Sequence, residues 1–368
     1  MARERLRVGI VGCGDVAHRH YLPALESMAD RVSLAAAADP RDAAAEAVAA
    51  AVGSWSPGTE VYRDVEAMIG GTQLDAVINL TPATRHGDVN RLILDAGIAC
   101  YSEKPLASSI DEADALIASA TRRGVLFLCA PGSAVTNRFR WLRDLADGGT
   151  LGSPTLAVAH HADPGPAAWR EYTGDPTPFY REGVGPVFDH GVYRLHEMTF
   201  LLGPVRRVQA MGSIARPTRR VLGGPLSGQT IAVTTQDHVL IHLEFVSGAL
   251  GQLLASFGTS DTLAPWLELH LTKGVVSFGG KSWEPEFPVS IYRDDETNAG
   301  LEGWTHDVEV APDDPGAVEA GARHFLRCLL GDETPVLTPE HARHVLDIIL
   351  SAYASIDSGQ AEVVRTAF

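Results

Sequence analysis

Two segments of this chain hold residues suited to proton transfer. The first is Glu103-Lys104-Pro105, which follows the apolar run Ala99-Cys100-Tyr101-Ser102, read as a strand. A lysine at the carboxyl end of such a strand lies on the edge of a parallel sheet where ligands bind. There it can hydrogen-bond a substrate hydroxyl or protonate a carbonyl, once partial burial tunes its own pKa. The plainer alternative is a surface lysine in a loop. The second segment runs from Gly183 to Glu197, with glycines leading into a helix that carries Asp189 and Tyr193. Four residues apart, these two share one helix face. A carboxylate and a phenol acting with Lys104 would move a proton to or from a hydroxyl. The alternative is that Asp189 caps the helix and Tyr193 packs in the core.

Several histidines lie near these groups. His160-His161-x-Asp163 has the residue types of a metal site. Adjacent residues on a strand point to opposite faces, so the two histidines do not readily share one ion. No metal is expected there, and His161 is read as a contact for substrate hydroxyls at a strand end. His190 and His196, beside Asp189 and Tyr193, are read as further substrate contacts. The loop from Trp169 to Tyr180 is rich in aromatics and proline, and Tyr180 is placed with the substrate residues. That loop is either a stacking wall for a substrate ring or an ordinary packed loop. Asn137 and Arg138 are placed at the pocket border on position alone.

Such residues need elements that hold them, and the first forty residues supply a frame. The apolar run Arg7 to Val11 leads into Gly12-Cys13-Gly14-Asp15-Val16-Ala17. A second run, Val32 to Ala38, ends in Asp39. Strand, glycine turn, helix, strand and acid make a dinucleotide-binding βαβ unit. Gly12 allows the tight turn, and Gly14 lets the backbone approach a pyrophosphate. Asp15 and Val16 open a helix, expected over about 16–28, whose N-terminal N–H groups face the phosphates. Asp39 lies about 22–25 residues beyond the turn, near the spacing of an acid that binds the adenosine ribose. A carboxylate there accepts from a 2′-hydroxyl and repels a 2′-phosphate, so NAD is the expected cofactor. Arg41, two residues on, softens that preference and leaves NADP open.

Composition narrows the function classes. Thirty Lys and Arg against 46 Asp and Glu give a formal charge of −16, which argues against nucleic-acid and anionic-membrane partners. No run reaches the roughly 18 apolar residues of a membrane span. The chain enters its first strand almost at once, which leaves no room for a signal peptide. Cys13, Cys100, Cys129 and Cys328 form no C-x-x-C pair and read as reduced thiols of a cytoplasmic protein. Cys13 is read as a small filler of the glycine turn.

Strand and helix patterns alternate through about residue 130, the mark of a doubly wound parallel sheet of the Rossmann type. Runs at 156–161, 205–210, 238–245, 249–255 and 267–271 then read as strands, interrupted early only by a helix over 188–202. That pattern predicts an α/β chain. A Rossmann domain over 1–130 precedes an α+β domain over 131–368 with a large, mostly antiparallel open sheet. Two closing helices, about 317–330 and 339–356, are placed in the second domain, with packing back on the first left open.

The chain resembles the glucose–fructose oxidoreductase / inositol dehydrogenase / MocA (Gfo/Idh/MocA) family of NAD(P)-dependent sugar and cyclitol oxidoreductases. The likeness spans nearly the whole chain. It is carried by Gly12-Cys13-Gly14 with Ala17 and His20, Asp39, Asn79-Leu80-Thr81-Pro82 with His86, Glu103-Lys104-Pro105, and Asp189-x-Gly191-x-Tyr193. The resemblance implies that Lys104 is the central catalytic residue and that Glu103 helps hold the cofactor end of the site. It implies that Thr81, Pro82 and His86 line the nicotinamide ribose region, and that Asp189 orients the reacting hydroxyl. Many inositol-dehydrogenase-like members have D-x-G-x-H-x-x-D, whereas Tyr193 and His196 stand here at the last two motif positions. Tyrosine there is similar to the glucose–fructose oxidoreductase and dihydrodiol dehydrogenase branches, which implies a Lys104–Tyr193 pair as proton donor or acceptor. The implied substrate is a small sugar, glycoside or cyclitol, and the implied assembly a homodimer or homotetramer. Two rival readings remain at this point: an NAD-dependent glycosidase using transient oxidation, and a dinucleotide-sensing regulator without turnover.

Overall fold

A computed structural model describes residues 5–281, 287–294, 303–312 and 316–368. The chain divides into two compact units, Met1–Thr136 with Pro315–Leu346, and Asn137–Asp314 with Asp347–Phe368.

The first unit opens with β1 (Leu6–Val11), a π-helical turn (Ala17–Tyr21) and α1 (Leu22–Glu26). It continues through β2 (Val32–Ala38), α2 (Asp42–Val52), β3 (Glu60–Tyr62), α3 (Val65–Gly71) and β4 (Ala76–Asn79). Then come α4 (His86–Asp95), β5 (Ala99–Ser102), α5 (Ile110–Arg123) and β6 (Phe127–Cys129). The six strands pair in parallel in the order β3-β2-β1-β4-β5-β6. Chain order reverses between β1 and β4, and ligands bind at such a switch point. The central strands are mostly apolar, with Val8, Ile10, Val77 and Ile78 fully buried, as strands covered on both faces must be. Local signals set the helix ends. The Ser109 side chain accepts from the Glu112 amide at the start of α5, and Gly124 ends it at φ +66.

The second unit contains α6 (Asn137–Asp147), β7 (Pro154–Ala162), a second π-helical turn (Val187–Gly191), α7 (Val192–Leu202) and β8 (Val205–Ser213). A two-stranded ribbon, β9 (Thr218–Arg220) and β10 (Thr230–Ala232), follows. Next come β11 (His238–Phe245), β12 (Leu250–Ser256), β13 (Leu267–Leu271), β14 (Gly274–Phe278), β15 (Val289–Arg293) and β16 (Gly303–Thr305). Helices α8 (Ala317–Leu330) and α9 (Pro339–Ser358) and strand β17 (Glu362–Val363) close the chain. Nine strands form one sheet in the order β16-β15-β14-β13-β7-β12-β11-β8-β17. Among the described residues, only β7 and β12 of this sheet run parallel, and its other pairs are antiparallel. The sequence pattern anticipates the fold class and the central strands of this sheet. It passes over β14 to β17, which are short, and over α6, whose helical periodicity is present but unread.

Helix α8 belongs to the first unit and seats there through glycines. A Cβ at Gly132 would collide with the Ala317 carbonyl and the Gly321 nitrogen, and one at Gly321 with the hydroxyl of buried Tyr101. Tyr101 also packs on Phe325, ring centroids 5.6 Å apart. Relief of a mid-helix glycine alone would favour Gly321→Val by a few tenths of a kcal/mol. Overpacking of such a contact costs about 1–3 kcal/mol and wins. We expect Gly321→Val to lower the urea midpoint of the first unit; an unchanged midpoint would refute the glycine seat.

Candidate active site

The turn after β1 is held from two sides. Gly12 sits at φ +94, and a Cβ there would lie 2.6 Å from the Leu80 carbonyl. The Cys13 amide donates to Asp39 Oδ2 at 2.9 Å, so the acid that ends β2 also fixes the turn. Gly14 differs: a Cβ there would meet nothing within 4 Å. That open space beside the first helical turn is what a dinucleotide pyrophosphate needs, and the residues present fit the group. Asp15 pairs with Arg19 at 2.9 Å, and Val16 lies just before the π-helical turn. The Cys13 thiol is buried and its pKa is pushed up to about 12, chiefly by that burial and then by Asp39, so it fills space rather than reacts.

Asp39 is 4% exposed, and Arg41 covers it. Arg41 Nε donates to Oδ1 at 3.0 Å and Nη2 to Oδ2 at 3.1 Å, while the Arg41 amide donates to Oδ1 at 2.9 Å. Burial opposes the charge on Asp39, but these bonds and the Cys13 amide outweigh it and hold its carboxyl below the usual carboxylate range. The Arg41 side chain is itself 69% exposed, so its guanidinium also faces solvent beside the acid.

Lys104 stands at the edge of the same sheet, half-buried, one residue past β5 and Glu103. Glu103 Oε2 accepts from the Lys104 amide at 3.0 Å, and its Oε1 accepts from Tyr21 Oη at 2.6 Å. Glu103 therefore ties the glycine-turn helix to the lysine backbone. Thr81 is half-buried, with its hydroxyl and amide both donating to Asn79 Oδ1, at 2.7 and 3.1 Å. Pro82 is exposed.

His86 departs from the expectation of a cofactor contact. It is 1% exposed, with Nδ1 2.7 Å from the Pro105 carbonyl and Nε2 2.7 Å from the Thr81 carbonyl. A ring so enclosed braces Thr81 against the Lys104-Pro105 segment and cannot reach a ribose. Both acceptors together would suit an imidazolium, but burial prevails and lowers its pKa, so a single ring N–H donates.

In the second unit, His161, Asp163, Asp189 and His190 come together. The His161 and His190 rings lie 3.9 Å apart, His161 Nε2 is 3.5 Å from Asp163 Oδ2, and His190 Nε2 is 3.4 Å from Asp189 Oδ2. Burial raises the Asp163 carboxyl above its ordinary value, against the pull of His190 and the Gly165 amide. His160 turns away and has Nδ1 3.0 Å from the Pro265 carbonyl, as alternation on a strand requires. Tyr193 is half-buried at the start of α7, and His196 lies one turn on at 8% exposure.

Two expectations fail here. Tyr180 is fully buried and accepts from the Ala167 amide at 3.0 Å in a core cluster with Phe257, Val221 and Val233, so it cannot wall a substrate. Trp169 takes the pocket side of that loop and stacks on His190 at 5.5 Å. Arg138 is also buried, its guanidinium 3.9 Å over the Phe287 ring, while Asn137 donates to the Pro312 carbonyl.

Residues 6–130 match the family profile described as "Oxidoreductase family, NAD-binding Rossmann fold" (GFO_IDH_MocA), and residues 139–277 match its "GFO/IDH/MocA C-terminal domain". The chain belongs to the Gfo/Idh/MocA oxidoreductase family. Among curated members it is 28% identical over 284 residues to a dTDP-3,4-didehydro-2,6-dideoxy-alpha-D-glucose 3-reductase from Streptomyces antibioticus, covering 73% of this chain and 82% of that one. It is 24% identical over 362 residues to the D-glucoside 3-dehydrogenase of Escherichia coli (strain K12), covering 98% and 97%. An NAD binding oxidoreductase from Klebsiella pneumoniae has the same fold, with TM-score 0.82, 22% identity and coverage of 99% and 100%. Among the described residues, no helix is long and apolar enough to cross a membrane.

In this member of the Gfo/Idh/MocA family, Arg41 and Asp39 pair at the end of β2. Among the described residues, Arg41 is the cation paired with Asp39, and a 2′-phosphate would compete with the acid for it. Loss of one charge-assisted contact is worth about 1.5–3 kcal/mol, roughly tenfold or more. We expect Arg41→Ala to raise the ratio of the NADP to the NAD dissociation constant by about tenfold, read by quenching of protein fluorescence. A ratio that falls would reverse the assigned role.

Proposed function

We propose that this protein transfers a hydride between NAD(P) and a secondary alcohol or ketone of a sugar, glycoside or cyclitol, with NAD preferred. The observation that carries this reading is the Glu103 clamp, which fixes the Lys104 backbone at the strand edge of a Rossmann sheet. Membership of the oxidoreductase family supports it, as do two relatives whose names both place their reaction at position 3 of a hexose. Carbon 3 of a hexose ring is accordingly the proposed reacting position. Bound NAD(P) supplies the nicotinamide that accepts or returns the hydride.

The chain's own residues handle the proton and the orientation. Lys104 is assigned to hydrogen-bond the reacting oxygen and favour its anionic character. Tyr193 takes or returns the hydroxyl proton, and Asp189 orients the hydroxyl. His161, His190 and His196 are assigned to the substrate. Thr81 and Pro82 are assigned to the nicotinamide ribose, and Gly12, Gly14, Asp15, Val16, Asp39 and Arg41 to the rest of the cofactor. We further place the protein in the cytoplasm as a homodimer or homotetramer; its four cysteines are free thiols, as a reducing compartment keeps them.

The test follows nicotinamide absorbance with a panel of free hexoses, methyl glucosides, 3-keto sugars and inositols. Lys104→Ala and Tyr193→Phe should each lower kcat about 10²–10⁴-fold while NAD still binds. Sugar release without net cofactor change would show a glycosidase instead. Tight NAD binding with no turnover on any substrate would show a sensor.

A further inference from the structure

A second feature of the histidine cluster has a use apart from hydroxyl contact. His161 Nε2, Asp163 Oδ2 and His190 Nδ1 are drawn from the end of β7, the turn after it and the π-helical turn before α7. One ligand atom from each residue lies within 4.8 Å of the others, with Asp163 Oδ2 3.5 Å from His161 Nε2 and 3.9 Å from His190 Nδ1. We propose that these three side chains bind a divalent transition-metal ion of the zinc class, with its open coordination position facing a neighbouring cavity.

The spacing suits an ion better than direct hydrogen bonds. Donors held about 2.0–2.1 Å from zinc lie about 3.3 Å apart in a tetrahedron, so the two pairs that include Asp163 Oδ2, at 3.5 and 3.9 Å, need to close by roughly half an ångström or less, and the third pair starts within 4.8 Å. The two pair distances exceed the roughly 2.7–3.2 Å of a normal hydrogen bond. The donor set points the same way. Two imidazoles and one carboxylate suit zinc, iron, cobalt or nickel, whereas magnesium and calcium favour oxygen alone.

Each ligand is also held in place. Asp163 Oδ1 accepts from the Gly165 amide at 2.6 Å, which turns Oδ2 toward the histidines. Gly165 makes that turn at φ +75, and a Cβ there would press on Tyr180 and Phe257. The His190 ring stacks on Trp169 and meets Phe257 edge-on at 5.7 Å. Its Nε2 faces Asp189 Oδ2 at 3.4 Å, the carboxylate–histidine pairing that orients metal-bound imidazoles and raises their basicity. The His161 and His190 side chains are only 7% and 15% exposed, so few waters compete for the ion.

Three protein ligands leave a position for water or a substrate oxygen. Beside them lies a cavity of about 260 Å³ lined by His161, Asp163, Trp169, Trp266 and Lys281 among others. An ion facing that space would chelate hydroxyl or carbonyl oxygens of a polyol. Metal uptake does not depend on the hydride-transfer reading.

The experiment uses the full chain, stripped with a chelator, dialysed and titrated with Co²⁺ and Zn²⁺ alone. We expect one equivalent of each, Co²⁺ giving visible d–d bands that Zn²⁺ displaces. His161→Ala and the near-isosteric Asp163→Asn should abolish those bands, with NAD binding retained as evidence of folding. Asp189→Asn should weaken uptake about 10–100-fold. His160→Ala, whose ring points elsewhere, should bind as the parent does. No stoichiometric uptake by the parent overturns the proposal, as does parental affinity in both His161→Ala and Asp163→Asn.

Discussion

The first unit depends on how closely the turn after β1 approaches the end of β4. Gly12 has its α-carbon against the Leu80 carbonyl, and the Leu80 amide donates to Val11 at 2.7 Å. No side chain fits between them. The strands therefore part only beyond this point, and the turn opens where the sheet changes direction. One contact then sets several others. The Cys13 amide is aimed at Asp39, the first helix starts beside the open space at Gly14, and Tyr21 reaches Glu103. A phosphate cradle, a ribose acid and a lysine support thus follow from one backbone approach.

Below the strand ends lies a floor of buried polar groups. Asn79 donates to Asn90 Oδ1 at 2.9 Å and accepts twice from Thr81. Asn90 donates in turn to Ser102 Oγ at 2.9 Å and to the Leu106 carbonyl at 3.2 Å, and His86 bridges Thr81 and Pro105. Each such bond adds only about 1 kcal/mol net, but stranding a buried partner costs about 1–3 kcal/mol. The network is rigid because no member can leave alone. Thr81 and Lys104 stand on this floor, so the proposed chemistry is positioned by residues that never touch a substrate.

That division explains what sequence reading could and could not find. Glycines, the acid at the end of β2 and the Glu-Lys-Pro segment announce themselves because each is placed by local strand and turn rules. His86 is misread because its motif position says nothing of enclosure; two carbonyls brought from 5 and 19 residues away enclose it. Tyr180 is misread for a similar reason, since its neighbour Phe257 is remote in sequence. The histidine pair teaches the most. Alternation along β7 correctly separates His160 from His161, but the ring that meets His161 comes from position 190. Strand alternation excludes a neighbour and says nothing about a distant partner.

The π-helical turn at Val187–Gly191 gives the second unit its electrostatic character. Such turns insert a residue into a helix and concentrate at functional sites. Here the turn puts adjacent Asp189 and His190 to use together, while Gly191 lets the turn approach Ala255 on β12, a Cβ there lying 3.2 Å from its methyl. His190 then lies between two carboxylates, Asp189 at Nε2 and Asp163 at Nδ1. Asp189 adds to burial in raising the Asp163 carboxyl, while His190 and the Gly165 amide oppose it. Positive charge between the two carboxylates offsets their repulsion. The same enclosure that excludes water makes that charge count for more than it would at the surface. A site built this way favours whatever ligand brings or shares positive charge.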